Sequence, residues 1–363
     1  MLRVCGITYL YTTNYGSCFQ AYALQKAVER IKVGSGEHCE LQYPALWHCK
    51  DHFSSEYDNY LYNRILKKFK FFQDNEIAYT ECDSVSSISS LNKRFDAFIC
   101  GSDVIWNPEF NHRLGMYYLD FADKYKFSYG ASFGTTTADD SFLPIAGKWI
   151  SELSDISVRE QSSVEIVERC TGRTAIVVPD PVLLLRREDW ENIIIHSKKS
   201  SKYIFSYATH SSPEYRRFLT RLEATTGLRV VKSIWAKGTR QALKEGVYRI
   251  QSPEKWLSQL YNAEYVVTNS FHATVFSSLF HKKFFTVVHG NKDEGANIRM
   301  YDYLQRLGMS ERMLSSVPEN IDLSEINYSG TDRKICEMRE AGLQFLQKNL
   351  ENAYLQKTKL MMI

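Results

Sequence analysis

His272, at the start of a predicted helix, is the residue of this sequence best suited to acid–base chemistry. It follows the apolar segment Tyr265–Thr268 and the polar residues Asn269 and Ser270, and an apolar helical pattern continues beyond it. This order predicts a buried strand, a capped turn and a helix with His272 in its first turn. Backbone N–H groups and the helix dipole at such a turn favour an anion, and imidazole titrates near neutrality. Two interpretations stay open: an anion site with an acid–base histidine, or a histidine that only packs.

Strand and helix signals alternate along almost the whole chain, and they predict the scaffold that must position His272. Predicted strands cover 2–10, 95–100, 125–131, 156–159, 175–178, 203–208, 228–234, 265–268 and 284–288. Predicted helices cover 18–31, 139–153, 161–170, 213–226, 253–262, 271–281 and 298–307. Two successive β/α halves predict an α/β fold of two Rossmann-like domains that face a cleft.

The domain boundary is predicted near Pro179-Asp180-Pro181, which interrupts the alternation of strands and helices. This gives an N-terminal domain over 1–183, with an insertion over 37–92, and a C-terminal domain over 184–363. A last amphipathic helix is predicted over 332–356 within the second domain. Neither G-x-G-x-x-G nor G-x-x-x-x-G-K-[ST] occurs, which argues against dinucleotide redox chemistry and P-loop hydrolysis.

Composition is that of a globular protein with a large core. The 363 residues are 44% hydrophobic and 24% charged, and the net charge of +3 is too small to indicate nucleic-acid binding. The eight cysteines include no C-x-x-C pair and predict reduced thiols. The pair His48 and His52 has helical spacing for a metal but lacks partners, so no metal site is expected. The sequence shows neither a signal peptide nor a membrane span, which predicts a cytoplasmic protein.

Five short patterns occur in a fixed order between about Val4 and Arg312. They are Asn14-Tyr15-Gly16-Ser17 with Gln20–Leu24, Gly101–Pro108, Ala131–Gly134, Ser157–Glu160 followed by Pro179–Leu184, and Asn269–Ala273 with Phe276-Ser277 downstream and a helix opening at Arg299. In this order and spacing the chain resembles the polysaccharide pyruvyl transferase family. The resemblance implies a GT-B-like fold and transfer of the enolpyruvyl unit of phosphoenolpyruvate to two hydroxyls of one sugar. It implies no metal or organic cofactor.

Ketal formation from phosphoenolpyruvate requires a proton carrier, cationic groups for carboxylate and phosphate, and a platform for the sugar. His272 is the expected acid–base residue. Arg159 and Arg299 are the expected cations, unless Arg159 only pairs with Glu160 or another acid and Arg299 only with Asp302. The family's best-studied branch carries Arg where this chain has Ser270. A cation from elsewhere must therefore complete the anion site that Asn269 and Ser270 begin.

Three residues are candidates for contact with the acceptor sugar. Asp103 follows a strand, where its carboxylate could orient or deprotonate a hydroxyl, or could cap a turn. Asn14 lies in the first strand–helix turn and could contact the acceptor or hold the turn. Trp106 could stack on a sugar face or pack in the core.

Residues 60–72 form a basic and aromatic segment. Leu61, Ile65, Leu66, Phe69 and Phe72 share one helical face, with lysines and an arginine around it. This predicts either contact with the inner face of the cytoplasmic membrane, useful for a lipid-linked acceptor, or a helix packed on the first domain. The sequence carries no signal for an oligomeric state.

Two alternative functions remain open at this point. A GT-B glycosyltransferase that uses a nucleotide sugar would have the same cleft. A catalytically silent saccharide-binding relative could have kept the fold without the arginine that Ser270 replaces.

Overall fold

The computed structural model describes residues 1–10, 12–46, 56–82, 84–111, 115–138, 141–195, 202–234 and 251–362. Its strands are β1 (Leu2–Ile7), β2 (Lys32–Val33), β3 (Glu37–Pro44), β4 (Tyr79–Thr80), β5 (Ala97–Cys100), β6 (Tyr125–Ser128), β7 (Ser157–Val158), β8 (Ile176–Val177), β9 (Ile204–Ala208), β10 (Val230–Ile234), β11 (Tyr265–Thr268), β12 (Lys283–Val287) and β13 (Met313–Leu314). Its helices are α1 (Tyr15–Arg30), α2 (Glu56–Glu76), α3 (Pro108–Asn111), α4 (Leu143–Ser151), α5 (Gln161–Thr171), α6 (Arg187–Glu191), α7 (Pro213–Thr226), α8 (Pro253–Tyr261), α9 (Phe271–Leu279), α10 (Ile298–Leu307) and α11 (Ser329–Met361). Short 3₁₀ helices add Val85–Lys93, Gly115–Tyr118, Pro181–Leu184, Gly295–Asn297 and Ser310–Arg312.

Two β-sheets form the framework. The first has the order β2-β3-β1-β5-β6 with β4 beside β3, and all its pairs except β2–β3 are parallel. The second has the order β10-β9-β11-β12-β13 and is entirely parallel. Helices connect parallel strands, since parallel pairing requires a crossover connection. The structure therefore confirms the predicted α/β fold with two Rossmann-like halves.

Aromatic side chains join the two halves. Tyr15 of α1 stacks on Trp256 of α8, with ring centroids 4.9 Å apart, and Phe19 of α1 meets Phe276 of α9 at 5.4 Å. All four rings are buried. This contact brings the first turn of α1 against the first turn of α9, which is where the candidate site forms.

The last helix, α11, runs back over the first sheet. Phe345 packs against Phe127 of β6, and Lys357 forms an ion pair with Asp96 at 2.9 Å. The predicted terminal helix is present and is longer at both ends. Two halves with a returning C-terminal helix give the GT-B-like arrangement that was predicted.

Part of the predicted insertion over 37–92 belongs to the sheet. Strand β3 pairs in parallel with β1, and its residues Cys39, Leu41 and Tyr43 are buried. The prediction of an insertion was wrong for Glu37–Pro44, whose alternating polar and apolar residues form a half-buried strand of the sheet.

Helix α2 packs on the first half by its apolar face. Phe69 lies 5.0 Å from Tyr15, Phe72 lies 5.7 Å from Phe19, and Ile65 is buried. Of the two alternatives for this segment, the structure therefore shows the helix packed on the first domain, with its apolar face inside the protein. The Leu61 side chain lies outside the described residues.

The described part of the chain contains neither a membrane-spanning helix nor a cluster of metal-binding side chains. No helix there is long and apolar enough to cross a membrane. No group of three or more His, Cys, Asp or Glu side chains there could hold a metal ion. His48 and His52 lie outside the described residues.

Candidate active site

The first turns of α1 and α9 meet through Gly16 and His272. The side-chain oxygen of Asn14 caps α1 by accepting the N–H groups of Gly16 at 2.9 Å and Ser17 at 3.4 Å. A Cβ atom on Gly16 would lie 1.9 Å from Nδ1 of His272. The imidazole therefore fits only because residue 16 has no side chain. Asn14 is a helix cap in this structure.

His272 also faces Asp180, which begins the 3₁₀ helix Pro181–Leu184. The Nε2 atom of His272 lies 3.3 Å from Oδ2 of Asp180, and both side chains are buried. Asp180 accepts the N–H of Val182 at 3.0 Å, which fixes its carboxylate. From the sequence, Asp180 was placed at the domain boundary and within the fourth pattern of the resemblance, but it was not named as a site residue. The available signal was an aspartate between two prolines directly after a strand.

Arg159 follows β7 and lies among three carboxylates. Its Nη1 donates to Oδ2 of Asp180 at 2.7 Å, and its guanidinium lies 3.7 Å from Asp103 and 3.8 Å from Glu160. It also covers the ring of Phe271 at 4.3 Å. Burial opposes its charge, but the three carboxylates outweigh burial and raise the pKa of Arg159. The ion pair with Glu160 that we considered is thus one of three contacts.

Several atoms of this cluster are buried without a hydrogen-bond partner among the described residues. They are Nε and Nη2 of Arg159, Nε2 of His272 and Oε2 of Glu160. Unpaired polar atoms at such depth cost free energy, so their grouping indicates a place for a polar ligand. Glu160 is otherwise held through Oε1 by the hydroxyls of Ser132, at 2.8 Å, and Ser163.

Asp103 follows β5 with a left-handed backbone, at φ 75°. Its Oδ2 accepts a 2.5 Å hydrogen bond from the hydroxyl of Ser17 in the first turn of α1. Burial alone would raise the pKa of Asp103, but His272, Arg159 and the bond from Ser17 together lower it below the usual range. An ionised carboxylate of low basicity is better suited to orient a hydroxyl group than to act as the base that removes the proton of that hydroxyl.

Arg299 lies half-buried in the first turn of α10. Its Nε donates to the carbonyl of Ala296 at 3.3 Å, and it forms no ion pair with any described residue. Burial and the charge of Arg159 lower the pKa of Arg299 to about 10, against the effect of Asp103 and two further acids. Arg299 therefore lies within the electrostatic field of the cluster. The alternative pair with Asp302 is not formed.

The remaining predicted site residues have structural roles. Asn269 binds the loop after β9: its Oδ1 accepts from Thr209 N at 2.8 Å, and its Nδ2 donates to His210 O at 2.7 Å. Ser270 is the N-cap residue of α9, but its side chain makes no capping bond.

Trp106 is fully buried rather than open to a sugar. Its indole N–H donates to Tyr117 O at 3.1 Å, and its ring stacks on Tyr118. Of the two alternatives for Trp106, the structure shows packing in the core, because neither face of the ring reaches solvent.

The site is thus built from residues that follow five strands, each of which pairs in parallel with a neighbour in its own sheet. Asn14, Asp103, Arg159, His272 and Arg299 follow β1, β5, β7, β11 and β12 respectively. This is the edge at which α/β sheets bind ligands. The cluster offers an imidazole for proton transfer at His272, a carboxylate that can orient a hydroxyl at Asp103, and the guanidinium of Arg159 for an anion.

We expect Asp180→Asn to flatten the dependence of stability on pH. Burial would raise the pKa of Asp180, but His272 and Arg159 lower it to about 2 from 3.8. The lowered pKa stabilises the native state above pH 4, and this stabilisation, about 2 kcal/mol, disappears as pH falls towards 2. Urea unfolding between pH 6 and 3 measures the slope. Asp123→Asn, a substitution at an exposed side chain, should leave the slope unchanged; an equal slope in wild type and Asp180→Asn would contradict the prediction.

Fold and site together define a two-domain α/β protein with a buried acid–base and guanidinium cluster between its halves. The chain belongs to the polysaccharide pyruvyl transferase family, whose model matches residues 14–291. Its family is thus one of transferases that act on polysaccharide.

Comparison with known proteins gives more distant likenesses. No curated protein sequence matches the chain. Among solved structures, S. aureus MnaA with UDP is 12% identical and has a TM-score of 0.49, covering 94% of this chain and 97% of that chain. Anabaena HepE with UDP and glucose is 8% identical with a TM-score of 0.49 and covers 100% of both chains. E. coli ADP-heptose LPS heptosyltransferase II is 11% identical with a TM-score of 0.43, covering 94% and 98% respectively.

Proposed function

We propose that this protein transfers the enolpyruvyl unit of phosphoenolpyruvate to two hydroxyls of one sugar in a surface-polysaccharide precursor. The product is a cyclic pyruvate ketal. The observation that carries the proposal is a buried group of nitrogens that make no hydrogen bond to a described residue, two on Arg159 and one on His272. They are suited to an anion that must also receive a proton, and phosphoenolpyruvate is such a substrate.

Cations from both halves supply what Ser270 lacks. Arg159 comes from the first half and Arg299 from the second, and burial together with the charge of Arg159 lowers the pKa of Arg299. Arg159 shares its charge with three carboxylates. Arg299, which forms no ion pair with a described residue, therefore supplies the additional positive charge that a doubly or triply charged donor requires. The N–H groups at the start of α9 add a further anion-binding element.

The reaction assigns one step to each group. His272 gives a proton to the methylene carbon of phosphoenolpyruvate, and a sugar hydroxyl oriented by Asp103 adds to the adjacent carbon. The carbon–oxygen bond to phosphate then breaks, and a second hydroxyl of the same sugar closes the ring. Of the two hydroxyl protons, one restores His272 and the other leaves with phosphate. Asp180 keeps the imidazole in position through its contact with Nε2.

Incubation with phosphoenolpyruvate and a panel of galactosides, glucosides and mannosamine derivatives tests the activity. We expect release of phosphate together with an acceptor whose mass has increased by a pyruvate ketal. Absence of turnover with every acceptor, combined with thermal stabilisation by a nucleotide sugar, would instead support a glycosyltransferase.

Replacing Arg299 by glutamine should raise KM for phosphoenolpyruvate by about 10- to 100-fold. A charge-assisted contact to the donor is lost, worth roughly 1.5–3 kcal/mol. Thermal stability should stay near that of wild type, because Arg299 forms no ion pair with a described residue. Arg333→Gln, a change at an exposed arginine of α11, is the matched control. An unchanged KM would remove Arg299 from donor binding.

A further inference from the structure

Glu160 has no part in the reaction described above, although its carboxylate lies inside the His272 cluster. It is the N-cap residue of α5, yet its side chain makes no capping bond to that helix. The side chain is 1% exposed, and its Oε2 atom lies 3.8 Å from Nε of Arg159. Oε2 makes no hydrogen bond to any described residue. The carboxylate is therefore directed at the cluster and not at the helix that it begins.

Two serine hydroxyls fix the orientation of this carboxylate. Oε1 of Glu160 accepts the hydroxyl hydrogens of Ser132, at 2.8 Å, and of Ser163. The hydroxyl oxygen of Ser132 accepts the N–H of Gly134 at 3.0 Å, and that of Ser163 accepts the N–H of Phe133 at 3.2 Å. A hydroxyl has a single hydrogen to donate, so each serine gives its own to Oε1. The third sequence pattern thus supports the carboxylate, and Oε2 is the atom left for a ligand.

Arg159 lies between Glu160 and a second carboxylate, that of Asp103. The Nε and Nη2 atoms of Arg159 make no hydrogen bond to a described residue. They are neighbours on one edge of the planar guanidinium, where they can hold two oxygens of one anion. Glu160 lies beside Nε, and Oδ1 of Asp103 lies 3.7 Å from Nη2. An anion bound to this edge therefore has a carboxylate near each of the two nitrogens that hold it.

The hydrogen-bonding capacity of the two substrates decides which of them suits Oε2. A buried carboxylate oxygen requires a hydrogen donor, because burial has removed its water. The ionised carboxylate and phosphate of phosphoenolpyruvate offer acceptors, whereas each hydroxyl of a sugar offers a hydrogen. Oε2 of Glu160 is thus matched to the sugar. The ketal uses two hydroxyls of one sugar, and Asp103 orients only one of them.

We propose that Oε2 of Glu160 binds the second of the two sugar hydroxyls that form the ketal, while Asp103 binds the first. The inference rests on the proposed function and deepens it, because it makes a pair of carboxylates beside Arg159 the feature that selects a sugar with two suitably spaced hydroxyls. Glu160 touches the substrate in this arrangement, whereas Ser132 and Ser163 are positioning residues.

Calorimetric titration of the full chain with methyl galactosides and methyl glucosides, each with one hydroxyl replaced by fluorine, tests the proposal. Fluorine removes the hydrogen that Oε2 accepts but keeps the shape of the sugar. In wild type we expect one position at which fluorine weakens binding by about 10-fold, the usual effect of a hydrogen bond to a charged group. In Glu160→Gln the same replacement should change affinity by less than about 2-fold, because the serines hold the amide oxygen at the Oε1 position and an NH₂ group replaces Oε2.

Two further variants accompany this comparison. Glu165→Gln is the matched control, because Glu165 is exposed on the same helix, and its fluorine effects should equal those of wild type. Ser132→Ala keeps the carboxylate but removes one bond to Oε1, so it should reduce the fluorine effect in the same direction as Glu160→Gln. Thermal unfolding checks that each variant is folded.

Equal fluorine effects in wild type and Glu160→Gln at every position would overturn the inference, and so would the absence of any sugar binding to wild type. A loss of phosphoenolpyruvate affinity in Glu160→Gln alongside equal fluorine effects would identify Glu160 as a residue that only positions Arg159. By the inference, phosphoenolpyruvate binds this variant at least as tightly as wild type, since a negative charge beside the anion is removed. A wild type that shows the fluorine effect but does not bind phosphoenolpyruvate would refute the proposed donor and leave the role of Glu160 in place.

Discussion

Replacing His272 by glutamine is expected to lower kcat by about 10²- to 10⁴-fold, the usual contribution of a positioned proton carrier. Glutamine fills a similar volume between Gly16 and Asp180 but cannot transfer a proton at neutral pH. The pair between Arg159 and Asp180, at 2.7 Å, does not depend on the imidazole. Phosphate release measures the rate, and the midpoint of thermal unfolding should move by only a few degrees.

His281→Gln is the matched control for this substitution. His281 follows the other end of the same helix and pairs with Asp332 at 2.7 Å, away from the cluster. Its variant should turn over at the wild-type rate. A His272→Gln enzyme that kept wild-type kcat would exclude His272 as the proton carrier and leave it as a packing residue.

Most helices and strands could be predicted from the sequence because the signals for them lie within each element and at its ends. Helices Pro213–Thr226 and Ile298–Leu307 and strand Tyr265–Thr268 were predicted with the ends that the structure gives them. Each has a hydrophobic period and a capping or breaking residue at its ends. Strand β3 also carried a local signal, since Cys39, Leu41 and Tyr43 alternate with Glu40 and Gln42 as in a half-buried strand, but this segment was assigned to an insertion instead.

The candidate site could be predicted from the sequence only in part, because its contacts join residues that lie far apart in the chain. His272, Asp103, Arg159 and Arg299 could be proposed because they follow strands or begin helices. Whether their side chains meet depends on packing between the halves, which no local pattern encodes. For the same reason Trp106 looked available to a sugar.

Asp180 and Gly16 were the site residues that sequence reasoning passed over. Asp180 contacts both Arg159 and His272, although it lies 21 residues from one and 92 from the other. Gly16 contributes no atoms beyond the backbone, and its role is the space that it leaves. Such a role becomes visible only when the opposite side chain is in place.

Gly16→Ala should therefore be as damaging as a change in the reacting groups themselves. The new Cβ would lie 1.9 Å from Nδ1 and 2.4 Å from Cγ of His272. Either the imidazole turns away from Asp180 or the first turns of α1 and α9 separate. Overpacking of this kind costs about 1–3 kcal/mol of stability, and a displacement of about 1 Å can cost roughly 10²-fold in rate. Urea unfolding and phosphate release measure the two effects.

The control substitution Gly330→Ala separates the effect of a steric clash from the general effect of replacing a glycine in a helix. Gly330 also lies in the first turn of a helix, and nothing is found within 4 Å of its added Cβ. This variant should be neutral or more stable by up to about 1 kcal/mol. Gly16→Ala in a His272→Ala background should then cost little further stability, because the clashing ring is gone, while activity stays lost. Equal destabilisation by Gly16→Ala in both backgrounds would mean that its effect does not act through His272. The packing of the imidazole between Gly16 and Asp180 would then not be what positions the proton carrier.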